Sequence, residues 1–172
     1  MKNSMTRKIC VAAIIAALYA VLTLSLPMLS YGPVQIRFAE ALTVLPFLLP
    51  EAIPGLAVGC FLANLLGSPY VLDWVVGTFA TLLAAVWTSK MKTRRLAPLP
   101  PVICNAVIIG AEIAWFEVGF TSAFAGVWAY NALTVGVGEV IACSVLGLLL
   151  LKFLPKIKYF RSFVSEERLS RV

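Results

Sequence analysis

Arg37 and Glu40 stand three residues apart in YGPVQIRFAEALTVLPFLLPEAIPG, Tyr31 to Gly55, a stretch that is otherwise almost wholly apolar. A helix advances about 100° per residue, which places the two side chains about 60° apart on one face, close enough to pair. An isolated charge in hydrocarbon costs several kcal/mol, so such residues in an oily segment signal a function. Four more acids stand in similar surroundings: Asp73 in SPYVLDWVVG, Glu112 and Glu117 in IIGAEIAWFEVGF, and Glu139 in TVGVGEVIAC. Glu112 shares its helical face with Trp115, Phe116 and Gly119, while Glu117 points away. Glu139 falls about 20° from Trp128 and about 80° from Asn131. Five acids against one arginine leave carboxylates without a protein counter-ion. Either they hold protons or a ligand supplies N–H donors and positive charge. The chemistry is recognition rather than bond-making. The chain has no histidine and no GxSxG, HExxH or GxxxxGK[ST] motif, so enzyme activity and ATP hydrolysis by this chain are not expected. Cys10, Cys60, Cys104 and Cys143 lack CxxC spacing, and no metal or cofactor is expected.

The elements that must position these groups are membrane helices. Of 172 residues, 61% are hydrophobic and 13% charged, and the mean hydropathy is +0.95. A soluble domain carries about 25% charge. An all-α integral membrane protein is expected, with six transmembrane helices in residues 1–155 and a basic cytoplasmic tail at 156–172. The spans are expected at about 8–27, 34–49, 53–66, 72–89, 102–120 and 127–154, the second and third short for a bilayer. SYGPVQ marks the first outer turn, and PEAIPG an inner one. The first apolar run is expected to remain as a span rather than be cleaved as a signal peptide. The net charge of +6 does not indicate nucleic acid, because the basic residues cluster before the first span, between spans four and five, and after the last. By the positive-inside rule these clusters, and both termini, are cytoplasmic, with contact to anionic lipid. The tail is expected to be a surface helix or disordered.

That topology places Glu40, Asp73, Glu112, Glu117 and Glu139 in the outer half or near the midplane, with Arg37 and Asn64 at similar depth. Facing inward together, they would form an outward-opening pocket with aromatic walls from Trp74, Trp115 and Trp128. An interfacial aromatic belt would also account for Trp74 and Trp128, and helix-to-helix hydrogen bonds for Asn64, Asn105 and Asn131. Ala12, Ala16 and Ala20 recur every four residues in span one, as do Gly55, Gly59, Ala63 and Gly67 in span three. Such small-residue stripes admit a close neighbour, from the same chain or from a partner.

This combination resembles the substrate-binding S component of an energy-coupling factor (ECF) transporter. More narrowly, YGPVQIRFAEALTVLPFLLPEAIPGLAVGCFLANLLG, DWVVGTFATLLAA and YNALTVGVGE are similar to the QueT family of S components for queuosine precursors, over about residues 6 to 155. The resemblance implies a bacterial plasma-membrane protein that captures a 7-deazaguanine (preQ0, preQ1 or queuine) from outside. It also implies a membrane coupling subunit docking on Ala12, Ala16 and Ala20, two separate ATPase subunits, and toppling of the S component to deliver its ligand. The implied site residues are Glu40 and Glu139 for the ring edge or amine, Arg37 holding Glu40 ionised, and Asn64, Asp73, Glu112 and Asn131 as polar wall. Trp74, Trp115 and Trp128 would stack on the ring. Carboxylate count favours an aminated precursor. The alternatives are an S component for another heterocycle, such as a thiamin or pyridine compound, a proton-coupled secondary transporter, and a membrane scaffold.

Overall fold

The computed structural model describes residues 5–26 and 37–171; Lys2, Pro27 and the SYGPVQ turn lie outside the described residues. Among the described residues the chain is helical without strands. The helices are α1 (Met5–Ser25), α2 (Phe38–Phe47), α3 (Ala52–Gly67), α4 (Val71–Ser89), α5 (Leu99–Val118) and α6 (Phe124–Glu139). A π-helical stretch, Val140–Gly147, carries α6 into α7 (Leu148–Phe153). Two short helices, α8 (Lys158–Arg161) and α9 (Glu166–Leu169), complete the tail.

The six expected spans resolve into four helices long and apolar enough to cross a membrane, Met5–Ser25, Val71–Ser89, Arg94–Val118 and Phe124–Lys156, and two shorter ones. The short ones are α2, with 10 residues, and α3, with 16, against the roughly 20 that a spanning α-helix needs. The winding of α2 partly offsets its length. It is a 3₁₀ helix, and a rise of about 2.0 Å per residue stretches it to roughly 20 Å. Pro46 inside it removes one N–H donor, and Pro50 follows closely. Runs of 3₁₀ beyond three or four residues are uncommon, and tertiary packing holds this one. Every residue from Ala39 to Phe47 is buried. A helix hydrophobic around its whole circumference belongs in a core, and α2 is the central strut of this one. It packs against α1, α3, α4, α5, α7 and the π segment.

Around it the remaining helices pack in sequence, α1 on α3, α3 on α4, α4 on α5 and α5 on α6. The α1–α3 contact is made by backbone. A Cβ added to Gly55 would lie 2.5 Å from the Ala12 carbonyl oxygen, and one on Gly59 would lie 2.8 Å from that of Ala16. The two small-residue stripes therefore meet each other along part of their length.

The tail folds over the end of the bundle that carries Met5. The Arg7 guanidinium stacks 3.8 Å from the Phe163 ring and donates to the Ser162 carbonyl at 3.1 Å and hydroxyl at 3.0 Å. Val164 is buried. Arg168 donates to the carbonyls of Pro46 (2.9 Å), Phe47 (2.8 Å) and Ser89 (3.3 Å), supplying donors that the last turns of α2 and α4 lack. Desolvation lowers the Arg168 pKa from its ordinary value. Nearby, Lys8 pairs with Glu51 at 3.3 Å.

Candidate functional site

At the opposite end of the bundle, α3, α4 and α5 part around a cavity of about 260 Å³. Asn64 and Ser68 come from the end of α3, Asp73 and Gly77 from α4, and Glu112 and Phe116 from α5; Arg37 closes one side just before α2. Below it runs a cleft of only about 10 Å³, lined by Arg37, Glu40, Thr81, Asn105 and Glu139. Arg37, Gly77 and Ile109 line both spaces, so cleft and cavity are neighbours that share a wall.

The sequence folds this way because polar residues sit where helices end or change winding. Ser68 follows the last turn of α3, and its hydroxyl donates to Asp73 Oδ2. Trp74 Nε1 donates to the Ser68 carbonyl at 3.1 Å, fixing the α3–α4 turn. Asn64 Nδ2 donates to the Asp73 carbonyl at 3.0 Å. Gly77 makes room for that amide, since a Cβ there would lie 2.6 Å from Asn64 Nδ2.

In the cleft, Glu40 is 1% exposed, and its Oε1 accepts a hydrogen bond from the Tyr19 hydroxyl of α1. Among the described residues its Oε2 is buried and has no hydrogen-bond partner. Asn105 is near enough to interact with Glu40, but its Nδ2 donates to Glu139 Oε1 at 2.8 Å. Cys143, in the π segment, has one proton and two acceptors within reach, Glu139 Oε2 at 3.4 Å and the Glu40 carbonyl at 3.3 Å. Thr43 Oγ1 also donates to that carbonyl, at 2.6 Å. Both irregular windings, 3₁₀ in α2 and π after α6, thus converge on the two buried carboxylates, where departures from α geometry often mark function. A second carboxylate oxygen, Glu112 Oε1, is also buried without a partner among the described residues. The charge of Arg37 acts on Glu40, Glu112 and Glu139 together.

Of the residues expected at the site, Arg37, Asn64, Asp73 and Glu112 meet at the cavity, and Arg37, Glu40 and Glu139 at the cleft. The others lie outside these linings. Asn131 donates to Glu117 Oε2 at 3.1 Å, and Trp128 Nε1 donates to the Val107 carbonyl at 3.1 Å. Trp115 is 41% exposed, its ring centroid 5.2 Å from that of Phe116 in an edge-on arrangement. The aromatic wall is instead Phe116 with Tyr70, their ring centroids 4.7 Å apart. Sequence reasoning also missed Tyr19 and Ser68, and gave Asn105 no ligand-site role. Tyr19 lies seven residues beyond Ala12, on the same face of α1 as the alanine stripe. A hydroxyl in that position was the available signal.

Ala16 is buried, and Ala12 and Ala20 are half-buried, against the bundle, while Ala13 and Ala17 are exposed. A groove of about 600 Å³ between α1 and the start of α3 is lined by Ala12, Ala13, Ala16, Pro54, Gly55 and Val58, among others.

The family model of the QueT transporter matches residues 9–156. The chain belongs to the QueT transporter family. That match takes in Tyr19 and every residue lining the cavity and the cleft. Membership makes the chain a transporter-family protein rather than an enzyme, and with its apolar helices a multi-pass membrane protein. A protein of Lactococcus lactis subsp. cremoris (strain MG1363), named queuosine precursor transporter QueT, is 40% identical over 85 residues. Those residues are 48% of this chain and 50% of that protein, so the chain spans about half the length of this curated relative. No solved structure matches the chain.

Proposed function

We propose that this QueT-family chain binds a queuosine precursor, a 7-deazaguanine, in the α3–α4–α5 cavity and delivers it across the bacterial plasma membrane. The observation that carries this reading is the pair of buried carboxylate oxygens without donors among the described residues, Glu40 Oε2 and Glu112 Oε1, which belong to the adjoining cleft and cavity. Buried acceptors of this kind are costly until a donor arrives. A guanine-type edge offers adjacent N–H and NH₂ donors to a carboxylate, a strong charge-assisted geometry. Phe116 gives the flat ring an apolar face. A site built on such hydrogen bonds penalises analogues that cannot make them.

The chain works as the S component of an ECF importer, a bundle of six segments in which α2 and α3 complete the four longer helices. Both termini are cytoplasmic, and the cavity opens outward. The coupling subunit docks on the groove lined by Ala12, Ala13 and Ala16, close to the stripe that also includes Ala20. Two ATPase subunits drive toppling and release. The test is queuosine content of tRNA in bacteria that cannot make the precursor, with and without the ATPase subunits. Restoration that needs both this chain and the ATPases supports the reading. Uptake that persists without ATPases and collapses with the proton gradient overturns the ECF mechanism in favour of a proton-coupled carrier.

A further inference from the structure

We infer that Tyr19 is a positioning residue for the ligand: its hydroxyl holds the Glu40 carboxyl so that Oε2 is kept for a ligand donor. The grip on the ligand then depends on how α1 is seated on α3. This rests on the queuosine-precursor reading above and adds a residue that acts on the ligand only through another.

Among the described residues none of α1 lines the cavity or the cleft, and α1 packs on α3 and α2. Tyr19 is nevertheless fully buried, and its hydroxyl donates to Glu40 Oε1. A phenylalanine would fill the same space, so packing alone does not call for that hydroxyl.

The carboxyl of a glutamate turns about a terminal bond with a broad torsional preference. A nearby charge does not decide which oxygen faces the ligand. Arg37 acts on Glu40, Glu112 and Glu139 together, which favours charge without fixing direction. The Asn105 amide donates to Glu139 Oε1 at 2.8 Å. Tyr19 makes a directed bond to one oxygen of Glu40 and leaves the other buried without a partner among the described residues. Glu40 itself lines the cleft. An acceptor held in its bound orientation before the ligand arrives loses less freedom on binding.

The α1–α3 seam sets where that hydroxyl lies. A Cβ on Gly59 would lie 2.9 Å from the Tyr19 Cβ and 2.8 Å from the Ala16 carbonyl oxygen. The phenol reaches from this contact to α2, so a shift of α1 along α3 carries the hydroxyl off Glu40. The groove assigned above to the coupling subunit is lined by the same two helices. Any displacement of α1 by a partner there is felt by the ligand, and ligand in turn resists it.

The test is calorimetric titration of the full chain in lipid nanodiscs with preQ0, preQ1 and queuine. The proteins compared are the natural chain, Tyr19→Phe, Glu40→Gln and the double variant. Tyr19→Phe should weaken binding about tenfold. In the Glu40→Gln background the same change should cost less than about twofold, because the two residues act as one unit. Should Glu40→Gln fail to fold, Gly59→Ala gives a second cycle: its affinity loss should largely vanish once Tyr19 is Phe. A merely structural role would lower the melting temperature of the ligand-free chain and leave affinity, measured well below melting, unchanged. Unchanged affinity in Tyr19→Phe, or losses that simply add in the cycle measured, would overturn the inference and leave the queuosine-precursor reading standing. Binding of none of the three ligands by the natural chain overturns that reading, and the inference with it.

Discussion

The two sides of α3 are built in opposite ways. Towards α1, Gly55 and Gly59 leave no side chain, and the neighbouring backbone fills the space down to van der Waals contact. Towards α4 and α5, Asn64 and Ser68 help to line an open space faced by carboxylates. Close backbone packing gives dispersion contact in a bilayer, where no hydrophobic effect drives helix association. It also leaves little freedom to move. The cavity side gives up such contact and keeps unsatisfied acceptors, an arrangement that is stabilising only with a ligand present. One helix thus joins a close-packed seam to the proposed binding site, and Tyr19 connects them directly. It lies on the seam face of α1 and donates to Glu40 in the cleft.

Substitutions on the two sides should separate stability from affinity. Gly55→Leu should have the largest effect, because even its Cβ would fall 2.5 Å from the Ala12 oxygen. A loss of about 3 kcal/mol or more is expected from such overpacking, seen as a large drop in the melting temperature in detergent; an unchanged melting curve would deny the seam. Gly59→Ala tests the connection. Its Cβ would sit 2.9 Å from that of Tyr19 as well as against Ala16. Stability should fall by about 1–3 kcal/mol, and ligand affinity with it; lost stability with intact affinity would mean that seam and site are independent. Gly77→Ala should do the reverse, pushing the Asn64 amide off the Asp73 carbonyl and weakening ligand about tenfold, with little change in melting. Smallest is Trp115→Ala, an exposed ring outside the cavity lining. Stability and affinity should each stay within about 0.5 kcal/mol, and a large affinity loss would return the stacking role to Trp115.

Several elements were legible in the sequence. Hydropathy and turn residues placed α4 within a residue of Val71–Ser89, and α1, α5 and the α6–α7 run within a few residues at most ends. The convergence of Arg37, Asn64, Asp73 and Glu112 followed from topology and a count of charges. What was not legible came from winding. A phase of 100° per residue holds for an α-helix, but α2 is 3₁₀, at three residues per turn, and the π stretch after Glu139 changes phase again. Those windings are imposed by packing against each other, which no local pattern encodes. The tryptophans misled for a different reason. An indole suits a bilayer interface and a ligand wall equally, whereas the smaller Phe116 faced the cavity. The tail's docking depended on carbonyls left open at the ends of α2 and α4, and sequence alone does not place those beside Arg168.

The most direct measurement is equilibrium binding of a 7-deazaguanine precursor to the natural protein and to Glu40→Gln in lipid nanodiscs. Glu40 accepts from Tyr19 through one oxygen and keeps the other without a donor. The natural protein should bind, and the substitution should cost about 30-fold or more in affinity, as expected when one partner of a buried charge-assisted pair is changed. Equal binding by both proteins, or none by either, would contradict the account.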